Sequence, residues 1–519
     1  MKKVTFKTYS VGQISLLPPS LEELIPEHHL VRVVNEMVDR IDLKPLLVQY
    51  KGGGTSSYHP RMMLKVLVYA YSEQIYSSRR IAKALRENVN FMWLSGGNKP
   101  DYRTINGFRS GVLKEAVREV FAAVVELLAE GGYVKLENYF VDGTKIAANA
   151  NVHKVVWAKR TKTYKSNLRE KIDALLDEID RVNEEEDAEY GEKDLEEMGG
   201  NGDMTSEKLK EKIARLNERL VKQPKDKPLK KALKILKKDC LPRLEKYEEQ
   251  ERILNGRNSY SKTDPDASSL RRKEDRAAEK PLPRPGYNIQ NGTEGQFIVG
   301  YSIHQSAGDP GCFVPHMEAQ KFPKGKLPRN AVGDAAYGSE ENYAWLEKHQ
   351  IENYLKYNRF HKEQHPPRKP ELREKERFVS ANFPYDQARD EFTCPAGHPM
   401  TYRETRPYKT RNGYLSERRF YECDHCETCP LKLQCTKAKG NRRMQVSFKL
   451  RAYQQEARTN LLSEQGVELR KKRAVDVETP FGNIKQNMGY RRFLLRGKKK
   501  VEIEWGLLCM AHNMRKLAV

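Results

Sequence analysis

The sequence has 519 residues, of which 38 % are hydrophobic and 32 % charged, and its formal net charge is +23. The length suggests about three domains, and a basic charge along the whole chain favours a nucleic-acid partner, because cations neutralise phosphates and release counterions. A ribosomal-type or membrane-surface protein is the alternative. The sequence has no apolar run of about 18 residues and no signal-peptide pattern, so we expect a cytoplasmic protein without a membrane span.

The first 130 residues predict helices throughout. The stretch "HPRMMLKVLVYAYSEQIYSSRRIAKALREN", residues 59–88, predicts two helices, the second beginning at Ser77 or Ser78. A short turn followed by an arginine-bearing helix is typical of a helix-turn-helix, whose second helix enters the major groove of DNA. We therefore predict DNA contacts from Arg79 and Arg80. A structural hairpin with solvated arginines is the alternative.

An apolar strand follows these helices and is predicted to end at an acid. In "YFVDGTK", residues 139–145, Asp142 comes directly after the apolar residues and precedes Gly143 and Lys145. An Asp-Gly pair is a common turn signal, so a structural turn is one interpretation. The other is a metal ligand in a basic stretch, with Lys145 balancing the charge of a phosphate on the metal.

Residues 158–280 are highly charged and carry leucine or isoleucine at helical spacing in three stripes. This pattern predicts a helical insertion that packs as an antiparallel hairpin or a small bundle, with the stripes as its core. The acidic, glycine-punctuated stretch 184–203, between the first two stripes, is typical of a turn or a disordered loop.

The pattern becomes strand-like again from residue 285. "RPGYNIQNGTEGQFIVGYSIHQS" predicts two strands around a glycine-containing turn, and "NAVGDAAYGSEENYAWLEKHQIENYLKYN" predicts a strand, a turn, a helix and a strand. Asp334 ends the first strand of the second stretch. Strands that alternate with helices after an antiparallel pair indicate a mixed α/β sheet.

Five of the eight cysteines lie close together, in "CPAGH" (394–398) and "CDHCETCPLKLQC" (423–435). Such clustering in a chain without a secretion signal favours a metal over disulfides, and thiolates at this spacing can hold one tetrahedral zinc ion. A reduced cluster without metal is the alternative. We predict that the zinc ligands are Cys394, Cys426, Cys429 and Cys435, with Cys423, His398 or His425 as substitutes.

The last segment predicts helices and contains a third candidate acid, Glu478. We expect Glu478 to start a helix, with Pro480 in the first turn. Lys485, about two turns later, should face the same way and bind phosphate near the acid. Taken singly, each of the three acids is better explained as a structural residue than as a catalytic one. Together, acids from two strand ends and one covering helix could hold two Mg²⁺ or Mn²⁺ ions, which stabilise the attacking and leaving oxygens of phosphoryl transfer.

Three long segments carry a resemblance to a known family: "YFVDGTKIAANAN", "VGDAAYGSEENYAWL" and "VETPFGNIKQNMGYRRFLLRGKKKVEIEWGLLCMAHNMRKL". They closely resemble the transposases of bacterial insertion sequences, the DDE group with an RNase H-like catalytic domain, over nearly the whole chain. The resemblance implies that Asp142, Asp334 and Glu478 are the catalytic acids and hold the Mg²⁺ or Mn²⁺ ions. The spacing of Glu478 and Lys485 is similar to the family's signature around the third acid.

The sequence departs from that signature at one position. The family's arginine lies four residues before the glutamate, where this chain has Ala474, and Arg473 is one residue further back. A phosphate-binding role for Arg473 therefore requires a shift in register. Asp476 is a rival third ligand.

The resemblance implies an enzyme that binds terminal inverted repeats of double-stranded DNA, pairs two ends as a homodimer, nicks them and joins the freed 3′-hydroxyl to target DNA. A catalytically inactive DNA-binding regulator and a metal-dependent nuclease that does not join strands are the alternatives. The expected fold is α/β, with an RNase H-like mixed sheet. The predicted architecture is a helical DNA-binding domain (1–130), catalytic core (131–157 and 281–364), helical insertion (158–280), Cys-rich zinc-ribbon-like module (365–445) and C-terminal helical part of the core (446–519).

Overall fold

A mixed β-sheet lies at the centre of the computed structural model, which describes residues 19–50, 57–190, 204–222, 226–272 and 282–518. The strands are β1 Asn138–Ala147, β2 Val155–Trp157, β3 Ser259–Ser261, β4 Ser268–Leu270, β5 Arg284–Glu294, β6 Phe297–His304, β7 Asn330–Gly333, β8 Glu352–Leu355, β9 Tyr385–Asp386, β10 Glu391–Thr393, β11 Pro399–Lys409, β12 Leu415–Glu422 and β13 Arg443–Val446. The helices are α1 Leu30–Arg40, α2 Lys44–Leu47, α3 Pro60–Ser72, α4 Ser78–Glu87, α5 Val89–Leu94, α6 Tyr102–Gly107, α7 Leu113–Glu130, α8 Ala158–Tyr190, α9 Ser206–Lys222, α10 Lys227–Ile235, α11 Leu241–Leu254, α12 Phe313–Glu318, α13 Glu340–Lys348, α14 Phe360–Gln364, α15 Pro370–Arg377, α16 Lys432–Cys435, α17 Phe448–Leu462, α18 Glu464–Gly482 and α19 Lys498–Leu517.

The central sheet has the strand order β4-β5-β1-β7-β8, and β6 also pairs with β5. β5 runs antiparallel to β1 and β6, whereas β7 runs parallel to both β1 and β8. The apolar start of β1 is buried between layers of helices, as a central strand of a two-sided sheet must be. This arrangement confirms the predicted mixed α/β fold.

β1 is longer than the sequence pattern predicts. We expected it to end at Asp142, but it continues to Ala147 because β5 pairs with it from Phe140 onward. The Asp142-Gly143 pair therefore lies inside a strand, and its interpretation as a turn is wrong. Gly143 is required for packing, because a Cβ atom there would clash with the side chain of Gln290 and come within 2.8 Å of Asp309 Oδ1.

The front helices α1 and α3–α7 and the C-terminal helix α19 share one hydrophobic core with the sheet. The two helices predicted from residues 59–88 are present as α3 and α4, and α7 ends at Glu130, just before Gly131 and Gly132. The start of the sequence, which lacks a signal-peptide pattern, lies outside the described residues. Within the described ranges, no helix has the length and apolar character needed to cross a membrane.

Helices α8–α11 pack around a separate hydrophobic core, which confirms the predicted helical bundle. The three predicted stripes supply most of this core, although Leu176 and not Leu175 is fully buried in α8. The first part of the acidic stretch, through Tyr190, extends α8 as a helix, so the prediction of a turn is wrong there. Its remainder, 191–203, lies outside the described residues.

The Cys-rich region contains a five-stranded antiparallel sheet in the order β13-β12-β11-β10-β9, with its own small core. A buried carboxylate, Glu340 at the start of α13, joins this module to the central sheet. It accepts hydrogen bonds from the hydroxyls of Ser416 (2.7 Å), Ser447 (2.7 Å) and Tyr414 (3.1 Å). The module is thus fixed to the core through an anion whose charge is satisfied by three donors.

The position of Glu478 corrects another expectation. Glu478 does not start a helix but lies near the C-terminal end of α18, and Pro480 is inside that helix. Proline is tolerated there because only the one hydrogen bond to the Asp476 carbonyl is lost. A π-helical turn, Asn483–Asn487, follows and contains Lys485. Counting two regular α-helical turns from Glu478 to Lys485 is therefore wrong.

We predict that Glu340→Ala loosens the Cys-rich module from the core, because three hydroxyl groups lose their common acceptor. The expected loss is about 2–4 kcal/mol in the free energy of unfolding, measured by urea denaturation, together with faster trypsin cleavage within residues 365–445. Glu341→Ala is the matched control, because no hydrogen bond to the Glu341 carboxylate occurs among the described residues, and we expect less than about 1 kcal/mol. Equal losses in both variants would contradict this account.

Candidate active site

Two of the predicted acids lie side by side at one edge of the central sheet. Parallel pairing of β1 with β7 places Phe140 opposite Val332. Asp142 and Asp334 each follow two residues later, so the same register brings them to adjacent positions on neighbouring strands about 5 Å apart. No local sequence pattern indicates which strands pair, so the proximity of the two acids depends on the order of strands in the sheet.

Arg473 lies between the two aspartates and contacts both. Its Nη2 is 3.5 Å from Asp142 Oδ2 and 4.0 Å from Asp334 Oδ2. Helix α18, which carries Arg473, packs across β1, β5 and β7 and so covers this part of the sheet. The orientation of α18 therefore directs the Arg473 side chain toward the two aspartates. It does so although the family's signature places its arginine one residue later, at the position of Ala474. The Nε of Arg473 is buried and has no hydrogen-bond partner among the described residues.

A lysine that the sequence analysis missed lies at the same edge. Lys356 directly follows β8, the next parallel strand, and its amide donates to the Gly333 carbonyl at 3.2 Å. Burial and the guanidinium groups of Arg473 and Arg470 lower the pKa of Lys356, whereas the nearby Asp334 opposes this shift. The sequence does contain a signal for Lys356: it is a polar residue directly after a predicted apolar strand. The same pattern was the basis for selecting Asp142 and Asp334.

A buried tyrosine lies close to the aspartates, in the short 3-10 turn that follows β7. Tyr337 is fully buried, and its hydroxyl donates a hydrogen bond to Gln290 Oε1. Burial raises the pKa of Tyr337, and the charges of Asp142, Asp309 and Asp334 raise it further. The hydroxyl therefore stays protonated close to three carboxylates.

Asp309, in the loop after β6, is a second residue that the sequence analysis missed. Its Oδ1 accepts hydrogen bonds from Asn288 Nδ2 (2.7 Å) and Gln290 Nε2 (3.1 Å). These amide donors hold the carboxylate beside Gly143, the residue that follows Asp142. No local pattern marked Asp309, because its position results from the pairing of β5 with β1.

The third predicted acid is not brought beside the other two. Glu478 is exposed on α18, five residues after Arg473, so the two side chains leave the helix about 140° apart. The rival residue Asp476 is half-buried; burial raises its pKa, and hydrogen bonds from the backbone of Gln296 and Gly295 oppose this shift. Its carboxylate is therefore engaged with the β5–β6 turn.

The two predicted lysines occupy different surroundings. Lys145 is three residues from Asp142 on the same strand, so its side chain lies on the opposite face of the sheet, where it contributes to the electrostatics of Cys312. Lys485 is half-buried in the π-helical turn. The phosphate-binding roles of Lys145 and Lys485 stay predictions.

The aspartate pair fits a divalent cation in its donor type, because carboxylate oxygens are the ligands that Mg²⁺ prefers. The guanidinium of Arg473 already shows that both carboxylates can share one cation. Among the described residues, however, no group of three or more His, Cys, Asp or Glu side chains is arranged to hold a metal ion. The described residues therefore offer a divalent cation two carboxylate ligands, and a third protein ligand is not in place.

All five clustered cysteines line one small cavity of about 20 Å³ in the Cys-rich module. Cys423 and Cys426 are buried, whereas Cys394, Cys429 and Cys435 are half-buried. Burial, followed by the neighbouring Cys394 and Cys426, raises the pKa of Cys423 to about 12. Cys423 thus lines the same cavity as the four cysteines predicted to bind zinc. The zinc assignment stays a prediction.

The predicted DNA-binding arginines lie on the surface of α4. Arg79 and Arg80 are both exposed, and the Arg79 guanidinium lies over the ring of Tyr102 at 5.2 Å. α3 and α4 are separated by a short turn in which Gln74 has a positive φ of 60°. Two helices and a short turn are the geometry that a helix-turn-helix needs.

Two family models match the chain. Residues 393–518 match the model described as Transposase DDE domain, and residues 19–111 match the model described as Transposase domain (DUF772). No curated protein and no solved structure matches. The first match contains the clustered cysteines, Arg473 and Glu478, and the second contains α3 and α4.

We predict that Arg473→Gln creates a Mg²⁺-dependent defect, because it removes the cation that Asp142 and Asp334 share. The free energy of unfolding should fall by about 1 kcal/mol at low salt, and millimolar Mg²⁺ should restore it by taking the guanidinium's place. Urea denaturation with and without Mg²⁺ measures both effects. Arg470→Gln is the control from the same helix, because Arg470 lies over the Phe360 ring. Equal Mg²⁺ stabilisation of both variants and the wild type would contradict a shared cation position.

Proposed function

Because the chain belongs to the DDE transposases of the insertion-sequence type, we propose that it binds the terminal inverted repeats of its element and catalyses metal-dependent cleavage and strand transfer. Enzymes of this family cleave and join DNA and generally use divalent metal ions, and their catalytic domain is RNase H-like. The observation that carries the proposal is the pairing of Asp142 and Asp334 around one cation.

We propose that these two aspartates hold Mg²⁺ or Mn²⁺, with two ions per site. When bound, the ions supply positive charge that stabilises the attacking and leaving oxygens of an in-line phosphodiester reaction. Asp142 and Asp334 are suited to this task because Asp142 lies inside β1 and Asp334 directly follows β7, so the main-chain hydrogen bonds of paired strands set their positions. Rigid strands hold ligands more accurately than loops do.

Arg473 and Lys356 provide the positive charge for a phosphodiester at this edge of the sheet. A guanidinium can form two parallel hydrogen bonds to phosphate oxygens, and the buried Nε of Arg473 is still available for one of them. Burial, and then the guanidinium groups of Arg473 and Arg470, lower the pKa of Lys356, and an incoming phosphate would offset the charge of these neighbouring cations. We propose that both residues bind the phosphate backbone beside the scissile bond.

We keep Glu478 as the third catalytic acid on the strength of the family resemblance. It lies on the helix that already delivers Arg473 to the site. Pro480, two residues later, lacks one intrahelical hydrogen bond, and a π-helical turn follows at Asn483–Asn487, so the regular helical hydrogen bonding is interrupted at this end of α18. We propose that DNA binding moves Glu478 toward the two aspartates.

Recognition of the DNA ends is assigned to the front helices. The exposed face of α4 carries Arg79 and Arg80, and a recognition helix in the major groove distinguishes base pairs through such side chains. Joining two ends to one target requires two copies of the active site, so we propose that the synaptic complex is a homodimer.

For the Cys-rich module we propose a structural zinc ion with a closed shell of four thiolates. The five cysteines line one cavity, which supports this proposal; among the described residues their side chains are not yet arranged as a metal site, so binding of the ion would have to draw four sulfurs together. Cys394, Cys426 and Cys435 form the common part of the ligand set, and Cys429 or Cys423 supplies the fourth sulfur.

The catalytic assignment predicts that Asp142→Asn, Asp334→Asn and Glu478→Gln each reduce cleavage of an end-containing duplex by about 100-fold or more. Binding of that duplex should be preserved, because the side chains keep their shape and only the charge is lost. Cleavage and joining are measured on labelled DNA with Mg²⁺ or Mn²⁺, and binding by fluorescence anisotropy.

Glu468→Gln is the matched control for Glu478→Gln, because Glu468 is exposed on the same helix and pairs with Lys472. Full cleavage by any one of the three variants removes that residue from the site. A wild type that binds the ends but cuts no strand supports the inactive regulator, and one that cuts without joining supports the nuclease.

The zinc proposal predicts about one zinc ion per chain in protein purified from zinc-supplied cells, measured by elemental analysis. Cys426→Ser should lose the ion and lower the melting temperature. Of Cys423→Ser and Cys429→Ser, the variant that loses zinc identifies the fourth ligand. Cys240→Ser, in the helical insertion, should keep it. A wild type without zinc would refute the site.

A further inference from the structure

A second basic surface lies at the far end of β1, where three chain segments meet. These segments are the loop after β1 (148–154), the loop between β3 and β4 (262–267) and the segment before α19 (491–498). We propose that this surface, called the junction strip, binds the phosphate backbone of duplex DNA, an inference that rests on the proposed function. The strip consists of five exposed cationic residues: Lys154, Lys262, Arg492, Arg496 and Lys498.

Main-chain contacts hold the three segments together. Arg492 forms a parallel bridge with Ala147, and the Phe493 amide donates to the Ala147 carbonyl at 2.9 Å. The Lys262 amide donates to the Lys154 carbonyl at 2.8 Å. The five cations are therefore fixed relative to one another by the backbone, although they are far apart in sequence.

Asn149 orients the two arginines of the strip. Its carbonyl accepts a hydrogen bond from Arg496 Nε at 2.8 Å, and its Oδ1 accepts one from Arg492 Nη2 at 3.2 Å. Each guanidinium has further N–H groups beyond the one used in this contact. The arginines can thus be held in place and still bind phosphate oxygens.

The acids nearest to the strip are occupied with backbone amides. Asp264 Oδ1 accepts from the Gly497 amide at 3.1 Å, and Asp266 Oδ2 accepts from the Lys498 amide at 2.8 Å. Gly497 has a positive φ of 86°, which favours glycine and allows the chain to enter α19 at this point. These carboxylates stabilise the start of the helix and do not pair with the cationic side chains.

The cationic side chains of the strip are not neutralised by direct pairing. Within the described part of the chain, none of its five cations forms an ion pair with a carboxylate, whereas lysines of the helical insertion do, at 2.5–2.8 Å: Lys165 with Glu251, Lys171 with Asp239 and Lys210 with Glu245. Like charges held close together repel one another, and a bound polyanion would offset this repulsion. The unpaired arrangement therefore fits a surface that binds phosphates.

The position of the strip fits the same duplex that reaches the aspartates. Ala147, where the strip begins, is five residues beyond Asp142 on β1, which corresponds to about 17 Å. This is about half of the 34 Å helical turn of B-DNA. Lys498 also lines an adjoining cleft of about 540 Å³, to which the exposed Arg411 contributes a further cation. One duplex could thus contact both the candidate active site and the strip.

The test uses the full chain with Lys154→Gln, Lys262→Gln and Lys498→Gln combined. None of these side chains forms a hydrogen bond or ion pair among the described residues, so the fold should be retained. We expect the Kd for any duplex to rise about 10-fold or more. The slope of the logarithm of the association constant against the logarithm of the salt concentration should become shallower by about 0.9 for each lysine removed. End and random duplexes should be affected alike, because phosphate contacts carry no sequence information.

A matched control removes the same charge elsewhere. Lys230→Gln, Lys231→Gln and Lys234→Gln lie on the exposed side of α10 and should change the Kd less than threefold. A triple Lys→Arg variant of the strip should retain wild-type affinity. By contrast, Arg79→Ala on α4 should weaken binding of the ends more than binding of random DNA.

Wild-type affinity in the strip variant, or an equal loss in the α10 variant, would overturn the proposal. Loss of binding to RNA with unchanged binding to duplex DNA would overturn the assignment to DNA. Failure of the proposed function would appear in a different measurement, as a wild type that binds duplex DNA through the strip but does not cleave it with Mg²⁺ or Mn²⁺.

Discussion

The parallel pairing of β1 with β7 is the constraint on which the candidate active site depends. Because the two strands run the same way, positions with the same offset from a paired residue are neighbours, and Asp142 within β1 lies beside Asp334 at the end of β7. Asp142 and Asp334 become neighbours through this pairing, although 191 residues separate them in the chain. β8 extends the pattern and adds Lys356 at the same edge. The helical insertion lies between these strands in sequence, and its separate core leaves their register undisturbed.

Helix α18 completes the site from above the sheet. Arg473 gives the two carboxylates a common cation, which reduces the repulsion between like charges on adjacent strands. The same helix carries Glu478, contains Pro480 near its C-terminal end and continues into a π-helical turn, so its regular hydrogen bonding is interrupted near Glu478. The Cys-rich module precedes α17 and α18 and is joined to the core through Glu340. Its attachment therefore helps to position the covering helices.

Local patterns in the sequence were sufficient for most elements but not for the geometry of the site. Apolar periodicity predicted α3, α4, the insertion helices and the strand pairs, because burial of one face governs each of them. The extension of β1 beyond Asp142 depends on pairing with β5, which no local pattern encodes. The position of Glu478 was mistaken because a proline inside a helix looks like a helix start. Lys356 and Asp309 acquire their importance through neighbours distant in sequence.

The most direct test of a shared cation position between Asp142 and Asp334 is anomalous diffraction from crystals grown with MnCl₂. The account predicts a manganese peak within about 2.0–2.3 Å of a carboxylate oxygen of each aspartate, with the Arg473 guanidinium moved away from its present position. Manganese bound elsewhere on the protein, with Arg473 still between the two aspartates, would contradict it.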